Sequence, residues 1–187
     1  MTAQEDALSG IASFLDRLGV RYMIIGGIAN LVWGEPRATL DVDVTVLVPA
    51  DEIDGFIDAV GLEYQILPED ARRFVRDTRV LPVAASNGIR IDLIFGLLPF
   101  EEEAVGRAIA VTVSGASVRI CTAEDLILMK AISERDRDLA DAQSIVRRRL
   151  QDLDLDYLEP RLREMAVLLE RDEILSRWRQ WKREAGA

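Results

Sequence analysis

Two aspartates separated by one residue, Asp41 and Asp43, are the side chains of this 187-residue chain best placed to do chemistry. From Arg37 onward the polar residues fall on alternate positions, Arg37, Thr39, Asp41, Asp43 and Thr45, with Ala38, Leu40, Val42, Val44 and Val46 between them. The alternation predicts a strand over roughly 38–48 with one polar face, on which side chains two residues apart point the same way. Asp41 and Asp43 then project together, with Thr39 and Arg37 beside them. Two carboxylates this close repel, and they stay ionised together when a cation sits between them. Two hard oxygen ligands with open coordination positions suit a divalent ion that also binds a substrate phosphate.

Two further features bear on the same chemistry. Gly26 and Gly27 lie between a short apolar run and an apolar helical stretch, and the acidic pair begins 14 residues past Gly27. A strand, a Gly-Gly turn and a helix start form an anion site, because unpaired backbone N–H groups and the helix dipole face one point. The plainer reading of the pair is a tight turn that needs positive φ. Asp92, in the string IRIDLIFG, sits among Ile89, Ile91, Leu93, Ile94 and Phe95, where an isolated carboxylate is costly to bury. It reads as a third metal ligand, with a surface pair to Arg90 as the alternative. Histidine is absent, which excludes histidine triads and histidine zinc sites. A general base must be Asp, Glu, Lys, Tyr or the thiol, and Asp92 is well placed to take a proton from an attacking hydroxyl.

Taken together, Gly26, Gly27, Arg37, Thr39, Asp41, Asp43 and Asp92 resemble the active-site signature of the nucleotidyltransferase superfamily related to DNA polymerase β. The wording RATLDVD resembles the branch containing the AbiEii-type toxins of bacterial toxin–antitoxin systems. A second motif agrees: Lys130, one of two lysines, followed by Arg137, Asp138 and Asp141. If the helix LILMKAISERDRDLADAQSIV is continuous, these four fall on one stripe, and Arg135 and Asp136 read as ordinary surface charges. The resemblance implies Mg-dependent transfer of a nucleoside monophosphate from an NTP to an acceptor hydroxyl. Asp41 and Asp43 would hold two Mg²⁺ ions (or Mn²⁺), with Asp92 on the second alone. It also implies that Gly26 and Gly27 cradle the phosphates and that Arg37 and Lys130 offset charge on the triphosphate, Lys130 touching it. Thr39 belongs to the nucleotide-binding set, and Asp138 and Asp141 orient the nucleotide or hold the helical part in place. The acceptor implied is tRNA, and the partner a cognate antitoxin protein. The rival readings are transfer to a small hydroxylated molecule, as in antibiotic-modifying relatives, and a catalytically silent nucleotide- or partner-binding module.

The elements that must position these residues follow from periodicity. Leu8, Ile11, Ala12, Leu15 and Leu18 recur at helical spacing, and Gly19 ends that helix. A buried strand is expected at 22–25, a helix at 28–33 closed by Gly34 and Pro36, and helices at 50–60 and 69–77. Two strand pairs are expected, 80–85 with 89–95 about Ser86, Asn87 and Gly88, and 108–113 with 118–121 joined at Ser114 and Gly115. From Thr122 the pattern is helical only, three or four helices running to Trp181. The fold class is therefore α/β (α+β): a core over 1–121 with a mixed sheet flanked by helices, then a helical part over 122–187 packed on it.

Composition bounds the rest. The chain is 49% apolar and 30% charged, with no apolar run near the length of a membrane span. Its acidic N-terminus is no secretory signal, so the expected compartment is the cytoplasm. The single cysteine, Cys121, forms no internal disulfide and reads as packing. Net charge is −9 through residue 118 and −1 thereafter, −10 in all, which disfavours nonspecific nucleic-acid binding. Arg147, Arg148 and Arg149 form either a solvated helix end or a local face for an RNA backbone. Trp178 and Trp181 read as packing.

Overall fold

The valines that alternate with the two aspartates decide the layering. In the computed structural model, which describes residues 2–113 and 115–186, Val42, Val44 and Val46 are completely buried on one face of their strand. Ile91, Leu93 and Phe95 share that face from one neighbouring strand, and Tyr22 and Ile24 from the other. The opposite face is left to Asp41, Asp43 and Asp92.

In chain order the elements are α1 (Ala3–Arg17), β1 (Arg21–Ile24), α2 (Gly26–Trp33), β2 (Asp41–Leu47), α3 (Ile53–Gly61), β3 (Gln65–Ile66), α4 (Ala71–Thr78), β4 (Val80–Ala84), β5 (Arg90–Phe95), α5 (Pro99–Arg107), β6 (Ile109–Val113) and β7 (Ala116–Ile120). Four helices follow: α6 (Ala123–Ala131), α7 (Asp136–Arg149), α8 (Leu155–Leu168) and α9 (Glu173–Gly186). The chain divides into two compact units. One holds the residues up to Ile28 with Ala38–Cys121, and the other holds Ala29–Arg37 with the chain from Thr122 onward. The segment Ala29–Arg37, which the sequence leaves with the core, thus groups with the helices.

The first unit is a seven-stranded mixed sheet in the order β3-β4-β5-β2-β1-β7-β6. β2 runs parallel to β5 and β1 parallel to β7, while the remaining pairs are antiparallel. α1 packs on β1, β2 and β7 through Leu8, Ile11 and Leu15, all buried. Thr2 caps it, accepting from the Glu5 amide while Glu5 accepts from the Thr2 amide, and Gly19 at φ 68 follows its end. Phe56 of α3 meets Phe95 edge-on at 5.8 Å. The hairpin β4–β5 turns at Gly88, φ 80, as its turn residues predict. Ser114, expected in the second hairpin turn, lies outside the described residues. β3 and α5 are elements the periodicity did not signal.

In the helical unit α6 packs on α7, α8 and α9, and α9 on α7 and α8. Thr122 caps α6, accepting from the Asp125 amide. Asp125 is buried and accepts from the Tyr157 hydroxyl at 2.6 Å, which joins α6 to α8. Trp178 and Trp181 are buried packing residues, as expected, and the Trp178 indole donates to Glu159. Among the described residues no helix is long and apolar enough to cross a membrane.

Candidate active site

Parallel pairing of β2 with β5 sets Asp43 opposite Asp92 and Asp41 opposite Arg90. Alternation then puts Asp41, Asp43 and Asp92 on one face. One carboxylate oxygen from each lies within 4.8 Å of the others, and all three residues are half-buried. The Arg90 guanidinium donates to Asp92 Oδ1 at 2.9 Å, so the surface-pair alternative and the ligand cluster coexist. The donor set is three hard carboxylate oxygens converging on one point. That set fits Mg²⁺ or Mn²⁺ and leaves coordination positions for phosphate oxygens.

The polar strand is shorter than the alternation predicts. β2 begins at Asp41, where its ladder with β5 begins, and Leu40 is 83% exposed. Among the described residues the ladder does not extend upstream of Asp41, so alternation there does not enforce a strand. Thr39 still reaches the site, because its hydroxyl donates to Asp41 Oδ1 at 3.0 Å. Gln4 of α1 fastens the same segment, its amide donating to the Thr39 carbonyl at 3.1 Å. Arg37 precedes the strand, which begins at Asp41. It belongs to the helical unit, where it makes a two-pronged pair with Asp141 at 2.9 and 2.8 Å.

Gly26 and Gly27 open α2 directly beside the carboxylates. Gly26 has φ 62, and a Cβ there would stand 1.9 Å from Asp43 Oδ2. A Cβ on Gly27 would stand 2.3 Å from the Thr39 hydroxyl oxygen. The pair therefore satisfies both the turn reading and the close-approach reading: only glycine lets this helix start sit against Asp43 and Thr39.

The second motif is built differently from the single stripe expected. The helix breaks between Ala131 and Asp136, so α6 carries Lys130 while α7 carries Asp138 and Asp141. The break folds them together. Lys130 Nζ donates to Asp138 at 2.9 Å and to Asp141 at 2.7 Å, with its side chain only 6% exposed. The basic partner of Asp138 is Arg135, at 2.6 Å, rather than Arg137, and the Ser133 hydroxyl adds a bond at 2.8 Å. Arg135, expected as an idle surface charge, therefore joins the network, whereas Arg137 is exposed. Burial opposes ionisation of Asp138 and Asp141. The bonds from Lys130 and Ser133 to the one, and from Arg37 and Lys130 to the other, outweigh it and hold both carboxyls below their ordinary range.

Gln4, Ser133 and Arg135 are the contributors that sequence reasoning missed. Serine and arginine just before an acidic helix start are the usual material of a loop clasp, a weak signal for the latter two. A glutamine that bonds a carbonyl 35 residues away leaves none.

A family model described as "Nucleotidyl transferase of unknown function (DUF2204)" matches residues 4–177. No curated protein matches the chain. Among solved structures the chain is similar to an antigenic nucleotidyltransferase-like protein from Paracoccidioides brasiliensis, at 18% identity and a TM-score of 0.54, covering 92% of this chain and 90% of that one. It is also similar to ANT(2")-Ia in complex with adenylyl-2"-tobramycin, at 15% identity and a TM-score of 0.56, covering 95% and 99%. A third is the lincomycin-bound lincosamide adenylyltransferase LnuA, at 13% identity and 0.50, covering 78% and 96%. At these identities the likeness is one of fold.

Proposed function

The chain belongs to the DUF2204 family of nucleotidyl transferases, and on that premise we propose that it moves a nucleoside monophosphate from an NTP to the hydroxyl of a small acceptor, using Asp41, Asp43 and Asp92 as the metal-binding centre. The observation that carries this reading is the convergence of those three carboxylates within 4.8 Å, on a sheet face flanked by the Gly26–Gly27 helix start.

Divalent ions held there, Mg²⁺ or Mn²⁺, would neutralise phosphate charge and make the acceptor oxygen more nucleophilic. The protein's own part is positional and electrostatic. The α2 amides beyond Gly26 and Gly27 bind phosphate oxygens. Thr39 orients Asp41 through its hydrogen bond. The acceptor oxygen attacks the α-phosphorus, the bond to the β-phosphate oxygen breaks, and pyrophosphate leaves. The acceptor proton passes to Asp92 through an oxygen that Arg90 does not engage. On the resemblance to nucleotidyltransferases Arg37 is the residue that would offset phosphate charge, and within the helical unit it is held by Asp141. Lys130 is spent on Asp138 and Asp141, so it acts as a positioning residue: it fixes Asp141, which in turn grips Arg37.

Charge favours a small acceptor over a polyanion. The chain carries −10, and two of the three arginines of the run are engaged within the helical unit. Arg147 pairs with Glu35, while Arg149 lies over the Trp33 ring and near Asp152. A second reading, tRNA modification by a toxin with a cognate antitoxin, is supported by the RATLDVD wording that resembles AbiEii-type proteins. Incubation with NTPs labelled at the α-phosphate, Mg²⁺ and either tRNA or a small-metabolite extract separates them. Label on small molecules is the expected result. Label on tRNA favours the second reading, and label on neither contradicts transfer.

A further inference from the structure

The sheet face that carries the carboxylates does not end at Asp92. Pro82 is the cross-strand neighbour of Asp92 on β4, so its ring lies on the same face, and beyond it the Leu67 amide donates to the Pro82 carbonyl. β3 is only two residues long and stops at Ile66, which leaves this part of the β4 edge to α4. The result is an open trough of about 590 Å³ whose floor and walls include Leu67, Pro68, Phe74 and Pro82, with Arg90 at the end next to Asp92. Leu67 is 44% and Phe74 38% exposed, so both keep apolar surface open to solvent.

The strand order gives the trough its direction. The Gly26–Gly27 turn follows β1, on one side of the β2–β5 pair, whereas the trough extends over β4 and β3 on the other. A nucleotide whose phosphates lie on the glycine side would leave the trough to the second reactant, and the carboxylate nearest the trough is Asp92.

The lining also states what that reactant should be. Glu69, Asp70 and Asp77 bring three carboxylates. Two guanidiniums stand against them, Arg73 at 3.7 Å from Asp77 and Arg90 bonded to Asp92, which leaves Glu69 and Asp70 without a guanidinium in the lining and the lining with a net charge of −1. An apolar floor with surplus negative charge on its rim favours a ligand with one apolar face and a cationic group. We propose that the trough between α4 and β4 is the acceptor subsite, and that it takes a small hydroxylated amine with an apolar or aromatic face. This deepens the transfer reading and rests on it for the acceptor's role, although binding in the trough stands separately.

The test is an NMR titration of the full chain with phenylethanolamine, an amino alcohol carrying a phenyl ring. Mandelate, in which a carboxylate replaces the aminomethyl group, serves as its anionic counterpart. The backbone amides of Leu67, Phe74 and Arg90 should shift with the amine, and mandelate should bind about tenfold more weakly or worse. Phe74→Ala should weaken the amine by about tenfold, and Asp77→Asn by less. Equal affinity for the two probes, or shifts confined to other residues, overturns the proposal. Mg²⁺ with an NTP, added to the same sample, reads the nucleotide side. Shifts at Gly26 and Asp43 without an amine response defeat the trough alone, and an amine response without nucleotide shifts defeats the transfer reading and leaves the trough as a binding site.

Discussion

Gly26 carries two constraints at once, a positive φ and a carboxylate oxygen where its Cβ would be. Gly26→Ala should therefore strain the backbone and push Asp43 aside, costing about 1–3 kcal/mol of stability and weakening Mn²⁺ affinity. Thermal denaturation and an EPR titration of Mn²⁺ would show it, and an unchanged pair of values would contradict the packing described. Asp138 and Asp141 make a pH prediction. Their folded-state carboxyls titrate below the unfolded value of about 3.9, so their contribution to stability is present above that value and is lost as pH falls through the folded values. Acid unfolding below about pH 4 should be shallower in Asp138→Asn/Asp141→Asn than in the unmodified chain. Asp41, Asp43 and the glycines were legible because alternation and residue chemistry coincide there. Gln4 was not, since a side chain that holds a distant carbonyl imposes no local pattern.

The break between α6 and α7 turns a motif into a network. Two helices meeting at Ile132–Arg135 let one ammonium satisfy two carboxylates from the next helix, whereas a continuous helix would have strung them along its surface. Lys130→Met removes the charge and keeps the bulk, leaving Asp138 to Arg135 and Ser133 and Asp141 to Arg37. The expected loss is about 2–3 kcal/mol, read from denaturant unfolding, and a loss below about 1 kcal/mol would mean that water replaces the ammonium. Periodicity predicted every sheet strand but β3, and the C-terminal helices, because the pattern of each is regular over several residues. It missed the helix break, because Ser133 and Arg135 end one helix and clasp the next without proline or glycine. It also missed α5, whose buried face amounts to Glu101, Ala104 and Val105. Glu101 accepts the amides of Leu97 and Leu98 at that helix start, and with Pro99 it is the signal that was there to be read.

Across the whole molecule, charge and composition constrain partners more than they constrain the fold. With −10 on 187 residues and no histidine, the chain should not be retained on tRNA at physiological ionic strength. Retention that falls steeply with salt would instead revive the polyanionic acceptor. The mixed sheet with flanking helices and the helical C-terminal unit follow from patterning that was visible in the sequence. The grouping of Ala29–Arg37 with the helices was not, because it rests on contacts over a hundred residues apart in sequence, Glu35 with Ser144 and Arg37 with Asp141. The measurement that tests the account most directly is the rate of nucleotide transfer, read as pyrophosphate release with Mg²⁺ and each NTP, for the unmodified chain and for Asp92→Asn. Asparagine keeps the shape of the side chain and removes the charge, so transfer should fall by about 10²-fold or more while NTP binding persists. Pyrophosphate release at the same rate in both proteins would contradict the assignment of the three-carboxylate centre.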